Sequence, residues 1–304
     1  MLFSNKRPLT GHLKTCLLSL LFLGLLTAFA FKPTDGNGPT APNFSGETVA
    51  AATQKDGGNG PLAPDFAGEQ PKPKSVKTLR VGVNPSGPPI IFLQGDKVSG
   101  IDADAARALG AKLGREVVFV QMPFNQLIPA LLDNQIDIIM SGMSFTEMRA
   151  IRINFTQPYM KVGQMPLVRR ADLNKYTNTL ALLNAKGKVG VESGTTGDLF
   201  VQENFIYAER VPYKNAEDAL PDLVAGKIDM FIDDSPIIWW MASENESNGL
   251  SPMVVSLSEE YLAWAVRKDD SELLDQANAF LMEFRSSGDL GKVIKKWLPY
   301  ATDL

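Results

Sequence analysis

From residue 78 onward, short apolar runs of strand length alternate with longer stretches whose apolar positions recur at helical spacing. The runs at 79–84, 116–121 and 136–140 predict strands, separated by helices over 99–113 and 126–134. Ser99-Gly100-Ile101-Asp102 offers a capping box for the first of these helices. The rhythm restarts at residue 188: strand 188–191, helix 196–204, strand 208–211, helix 216–225, strand 228–232. An extended segment at 261–267 and two amphipathic helices, 271–286 and 290–297, follow. This alternation predicts an α/β fold with mostly parallel sheets, and its two cycles predict two similar lobes. Open α/β sheets take ligands beyond their strand ends, so the cleft between the lobes is the expected site.

The first 77 residues have a different character. Lys6, Arg7 and Lys14 precede an apolar run from Cys16 to Phe31 that contains Ala28-Phe29-Ala30, which predicts an export signal over 1–30 with cleavage after Ala30. The run is about 16 residues, short of the roughly 20 needed to span a bilayer. Residues 31–77 carry a near-duplicate with a period of 22, around Pro42-Asn43-Phe44-Ser45-Gly46-Glu47 and Pro64-Asp65-Phe66-Ala67-Gly68-Glu69. Two copies rich in Gly and Pro cannot bury a core, so the expectation is a disordered tether, with Phe44 and Phe66 as docking motifs the alternative.

Composition narrows the chemistry. Cys16 and His12 are the only cysteine and histidine, and both lie in the predicted signal. The mature chain is therefore expected to lack disulfides, Cys/His metal sites and Ser-His-Asp or Cys-His catalysis. No metal and no cofactor is expected. Removing Lys6, Arg7 and Lys14 takes the formal net charge from −4 to −7, which argues against a nucleic-acid partner.

The candidate chemistry centres on Ser141-Gly142-Met143-Ser144-Phe145-Thr146-Glu147-Met148-Arg149. An apolar strand that breaks at Ser-Gly and restarts as a capped turn leaves N–H groups and hydroxyls facing one spot. Arg149 adds a two-pronged cation whose planar donors match a carboxylate. Thr195-Thr196-Gly197-Asp198 is a capping box, and a helix start of that kind attracts anions. Asp234 stands before Ser235-Pro236, a good helix entry that it fits as a cap.

Taken in order, these segments resemble the periplasmic solute-binding proteins of ABC importers, specifically the family 3 group that captures amino acids. The resemblance covers about 78–299 and rests on Leu79-Arg80-Val81-Gly82-Val83 with Pro88-Pro89, Gly100-Ile101-Asp102-Ala103-Asp104 and Leu127-Ile128-Pro129-Ala130-Leu131. It continues through the Ser141 to Arg149 segment, Phe155-Thr156-Gln157-Pro158-Tyr159, Gly190-Val191-Glu192-Ser193-Gly194-Thr195-Thr196, Ala265-Val266-Arg267-Lys268 and Lys295-Lys296-Trp297. It implies a type II periplasmic-binding-protein fold: two β/α lobes, 78–161 with 263–304 and 162–262, joined by two crossing hinge strands. Arg149 would take a ligand α-carboxylate with Ser144, Gly142 and the helix start at Thr196, Asp234 would take the α-amino group, and Phe124 would form an apolar wall. The implied partners are a small amino acid or related zwitterion and the membrane permease of an ABC importer, met by a monomer outside the cytoplasm.

The chain also departs from the family pattern. Gly87 replaces an aromatic that usually stacks on the ligand, Ile90 replaces a phenylalanine, and Asn84 stands where an acid is common. Glu192 and Asp233 occupy positions that either face the ligand, favouring a cationic side chain, or are solvated rim charges. A dehydratase-like enzyme on the same fold and a membrane-tethered sensory module are the alternatives.

Overall fold

In the computed structural model, which describes residues 77–299, the apolar run Thr78–Val83 lies in the middle of a parallel trio, flanked by Glu116–Gln121 and Ile138–Ile139. Leu79, Val81 and Val83 are wholly buried, as expected of a strand covered by helices. The late strand Ala265–Arg267 then inserts antiparallel between Ile138–Ile139 and Ile153–Phe155, which completes a five-stranded sheet. A second five-stranded sheet runs Ala208–Tyr213, Gly187–Glu192, Met230–Asp234, Gln164–Arg169 and Leu250–Pro252, the first three mutually parallel and Gln164–Arg169 antiparallel to both of its neighbours. Each sheet is thus mixed, because the chain enters it from the hinge against the direction of the βα cycle.

The hinge is a two-stranded ribbon in which Met160–Val162 pairs antiparallel with Glu260–Leu262. Helices Ser271–Ser286 and Asp289–Trp297 pack on helix Ile101–Leu113 of the first lobe. Asp270 caps the former by accepting from Leu273 N at 3.1 Å, and Asp104 accepts from Lys296 Nζ at 2.6 Å and Trp297 Nε1 at 2.9 Å in the latter. Two β/α lobes joined by crossing hinge strands are the fold class that the resemblance implied.

Several expectations need correction. The capping box at 99–102 does not form: Gly100 precedes the helix without a side-chain cap, and the Asp102 carboxylate turns inward. The third strand shrinks to Ile138–Ile139, since Asp137 is drawn off by Arg80, whose Nη2 reaches its Oδ1 at 2.6 Å. The helix expected at 216–225 splits into a 3₁₀ turn Ala216–Ala219 and a helix Leu220–Val224, because Pro221 has no N–H to continue a turn and favours a new start. The strand expected at 228–232 is Met230–Asp234, so Asp233 and Asp234 end a buried strand instead of following it. The expected signal, almost all of the expected tether, and residues 300–304 of the first lobe lie outside the described residues. Among those described, no helix is long and apolar enough to cross a membrane.

Candidate functional site

Thr146 caps the short helix Glu147–Arg152 by accepting from Arg149 N at 3.1 Å, and this fixes Arg149 in the first turn facing the second lobe. Its Nη1 donates to Ser144 O at 2.8 Å, its Nη2 donates to Gly194 O at 3.1 Å, and the guanidinium lies 5.3 Å from the centre of the Phe124 ring. One cation therefore ties a turn of the first lobe to a loop of the second. Burial pulls Arg149 down from its usual pKa, while Glu260 and Asp234 oppose that shift.

From the second lobe, Thr195 caps helix Thr196–Asn204 through Asp198 N at 3.1 Å, and Asp198 in turn accepts from Gly194 N at 2.9 Å. Half of the expected box is thus present, the Asp198 carboxylate taking the Gly194 amide in place of the Thr195 amide, and Thr195 and Thr196 line the cleft. Asp234 precedes helix Ser235–Glu244 yet makes no cap bond; its Oδ1 accepts from Gln164 Nε2 at 2.8 Å. Burial, with Asp233 and Glu260 close by, pushes Asp234 well above the usual carboxylate range, against the pull of Arg149 and Gln164.

Glu192 and Asp233 end neighbouring parallel strands whose register pairs Val191 with Ile232, so the two acids stand side by side. Asn84 Nδ2 donates to Glu192 Oε1 across the cleft at 2.5 Å, and Asp234 N donates to Asp233 Oδ1 at 2.7 Å. The Asp233 Oδ2 atom is buried without a partner. At 2% and 7% exposed, neither acid is a solvated rim charge. Burial and the mutual charge raise Glu192 well above its usual range, and burial raises Asp233 to about 7.

Eight of the nine candidate residues (Phe124, Gly142, Ser144, Arg149, Glu192, Thr196, Asp233 and Asp234) line one cleft, and Asn84 adjoins it through Glu192. The cavity between these residues is about 30 Å³, below the roughly 300 Å³ of ordinary ligand pockets. Gly87 leaves space on one wall, where an added Cβ would meet Ile237 only at 3.7 Å. Met140, Met143, Met160 and Met165 are buried as core filling, and Trp239 is nearly half exposed on its helix.

Several residues at the site escaped the sequence reading, among them Ser86, Ile91 and Ile237 on the cleft wall and Glu260 and Gln164 behind it. Glu260 on the hinge strand accepts from Thr196 Oγ1 at 2.6 Å, Ser258 Oγ at 2.7 Å and Gln164 Nε2 at 3.0 Å. Burial alone would raise its pKa, but these donors and the Ser144 hydroxyl hold it below its usual value. Strand alternation was the available signal: Glu259 points outward to Lys161 at 2.8 Å, so Glu260 must point inward. Gln164 bridges Asp234 and Glu260, and no sequence pattern marked it.

Residues 79–300 match the model of the bacterial extracellular solute-binding proteins, family 3. The chain belongs to that family. It is 28% identical over 229 residues to the ABC transporter arginine-binding protein 1 of Escherichia coli K12, covering 74% of this chain and 92% of that protein. Among solved family members, an ancestral arginine-binding protein bound to glutamine superposes with a TM-score of 0.68 at 33% identity, over 72% of this chain and 97% of that one. An ancestral amino acid-binding protein described as a precursor of cyclohexadienyl dehydratase gives 0.67 at 32% identity, over 72% and 94%. In this family member as in those structures, the fold is the two-lobed type II periplasmic-binding-protein architecture.

Proposed function

We propose that this chain is a non-catalytic, monomeric receptor outside the cytoplasm that closes on an amino acid and presents it to the permease of an ABC importer. The observation that carries this reading is the meeting, in one cleft, of Arg149 from the first lobe with Asp234 from the second. A zwitterion needs a bidentate cation and an anion held a few ångströms apart, and closure supplies both at once. Arg149 takes the α-carboxylate with the amides at Ser144 and Thr196, while Gly142 lines the turn with its own N–H committed to Asp102. Asp234 takes the α-ammonium, and Phe124 walls the stem. The lobes are 78–161 with 263–304 and 162–262, and residues 1–30 are the export signal. Relatives named for arginine, and one holding glutamine, support an amino acid as the ligand class.

A thermal-shift screen of the common amino acids tests the reading, since a ligand that binds only the folded state raises the melting point. Asp234→Asn is expected to weaken ligands with a free α-amino group at least about 30-fold, because one partner of a buried charge pair is lost. Calorimetry with an amino acid and its N-acetylated counterpart checks this; equal losses for both would remove Asp234 from that role. The dehydratase reading has the raised acids Glu192 and Asp233 in its favour, and product formed from a cyclohexadienyl acid would replace the receptor reading.

A further inference from the structure

The cleft is lined by three carboxylates, Glu192, Asp233 and Asp234, with a fourth, Glu260, behind Thr196, and by one cation, Arg149. An α-amino acid bound as proposed above leaves this imbalance in place: its ammonium answers Asp234 and its carboxylate answers Arg149. Glu260 is already satisfied by Thr196, Ser258 and Gln164. Glu192 and Asp233 have only neutral donors, Asn84, the Ser86 hydroxyl and the Ala216 amide on the former and a backbone amide on the latter, and Asp233 Oδ2 has none. A buried acceptor oxygen without a partner, beside a second buried acid at the wall of a ligand cleft, calls for a donor that arrives with the ligand. Ile90, Ile91 and Ile237 line the same cleft and suit an aliphatic stem leading to that donor.

We propose that Glu192 and Asp233 form a subsite for the cationic terminus of an arginine- or lysine-like side chain, and that a proton held by the pair leaves to solvent when the cation arrives. This inference rests on the amino-acid reading above and adds the ligand's side-chain class and a proton count. Two like charges side by side in a dry site do not both ionise at neutral pH, which is why one of them keeps its proton. The raised values of both acids agree with that. The other charged groups facing the pair are Asp234 on the adjoining residue, Glu260 on the hinge strand and Arg149 on helix Glu147–Arg152. The first-lobe side chains nearest the pair, Asn84 and Ser86, are uncharged.

The test is isothermal titration of the full chain with L-arginine, L-lysine and L-glutamine at pH 7, in two buffers of different ionisation enthalpy. L-arginine is expected to bind at least about 100-fold more tightly than L-glutamine, because the neutral amide cannot pair the buried acids. Its binding should release about one proton more than that of L-glutamine, read from the buffer dependence of the two enthalpies, and its affinity should fall relative to L-glutamine as pH drops from about 7 to 5, because protons then compete for the pair. In Asp233→Asn, and independently in Glu192→Gln, the arginine-to-glutamine preference should fall about tenfold and the extra proton release should vanish. Equal affinities for arginine and glutamine in the unaltered protein, or equal proton release with the two ligands, would overturn the subsite. Arg149→Ala separates the two levels: unchanged arginine binding there would overturn the zwitterion reading, while the buffer and selectivity data would still decide on Glu192 and Asp233.

Discussion

Replacing Arg149 with alanine is expected to raise the dissociation constant for any amino-acid ligand by about 1000-fold or more, because a buried carboxylate would lose its only counter-charge. The four acids around the cleft would then repel the ligand's carboxylate with nothing to offset them. Fold stability should change little by comparison: the side chain of this half-buried arginine contacts two carbonyls, Ser144 O and Gly194 O, that water can reach once it is gone. Arg149→Lys keeps the charge but loses the planar fork, and it should bind with intermediate affinity. Calorimetry gives the affinities and circular dichroism confirms folding. Retained affinity in a folded Arg149→Ala protein would remove the carboxylate assignment.

The second large effect is on stability and belongs to Asp102. Its carboxylate is wholly buried and accepts from Gly142 N at 2.6 Å, Tyr159 Oη at 3.0 Å and Trp264 Nε1 at 3.1 Å. It thereby ties the start of a helix to the turn beside the cleft and to both sides of the hinge. Asp102→Ala strands three buried donors at about 1–3 kcal/mol each, so a loss of about 4 kcal/mol is expected, read from the urea midpoint. Burial raises Asp102 to about 6, against the hydrogen bonds from Gly142, Tyr159 and Trp264, and burial raises Asp233 to about 7. Both folded values exceed the unfolded ones, so the folded protein holds more protons across this window. The contribution of these groups to stability is complete below about pH 4 and is lost as pH rises through about 6 and 7. The ligand-free protein should therefore unfold at lower urea at pH 7.5 than at pH 4.5, and Asp233→Asn should flatten the upper part of that slope. A midpoint that rises with pH would contradict both buried acids.

Much of this was legible in the residues. The strands at Thr78–Val83, Glu116–Gln121 and Gly187–Glu192 and the helices at Thr196–Asn204 and Ser271–Ser286 declare themselves by period and by caps, which are local signals. The errors fall where a distant partner overrides the local pattern. Asp102 reads as a capping residue from its neighbours, but Tyr159 and Trp264 take its oxygens. Asp233 and Asp234 read as post-strand residues, but pairing with Met165 and Gln164 extends the strand through them. At the site, Arg149 and Thr196 were visible because each sits in a capped helix start. Gln164 was not, because an amide in an apolar strand gains meaning only from the two acids that the fold brings to it. The shared environment of Glu192 and Asp233, which are 41 positions apart in the chain, is likewise set by sheet register alone.

The insertion of Ala265–Arg267 between Ile138–Ile139 and Ile153–Phe155 has a consequence for assembly. The second sheet spans an unbroken stretch from Gln164 to Pro252 and can form as soon as that stretch is available, whereas the first stays divided until residue 267 arrives. Long-range pairing of this kind is slow to nucleate. Closing the first jaw ties residues near 138 and 155 to residue 265, so a break anywhere in the second lobe would separate the two parts of the first sheet along the chain while leaving its pairing partners on either side of the cut.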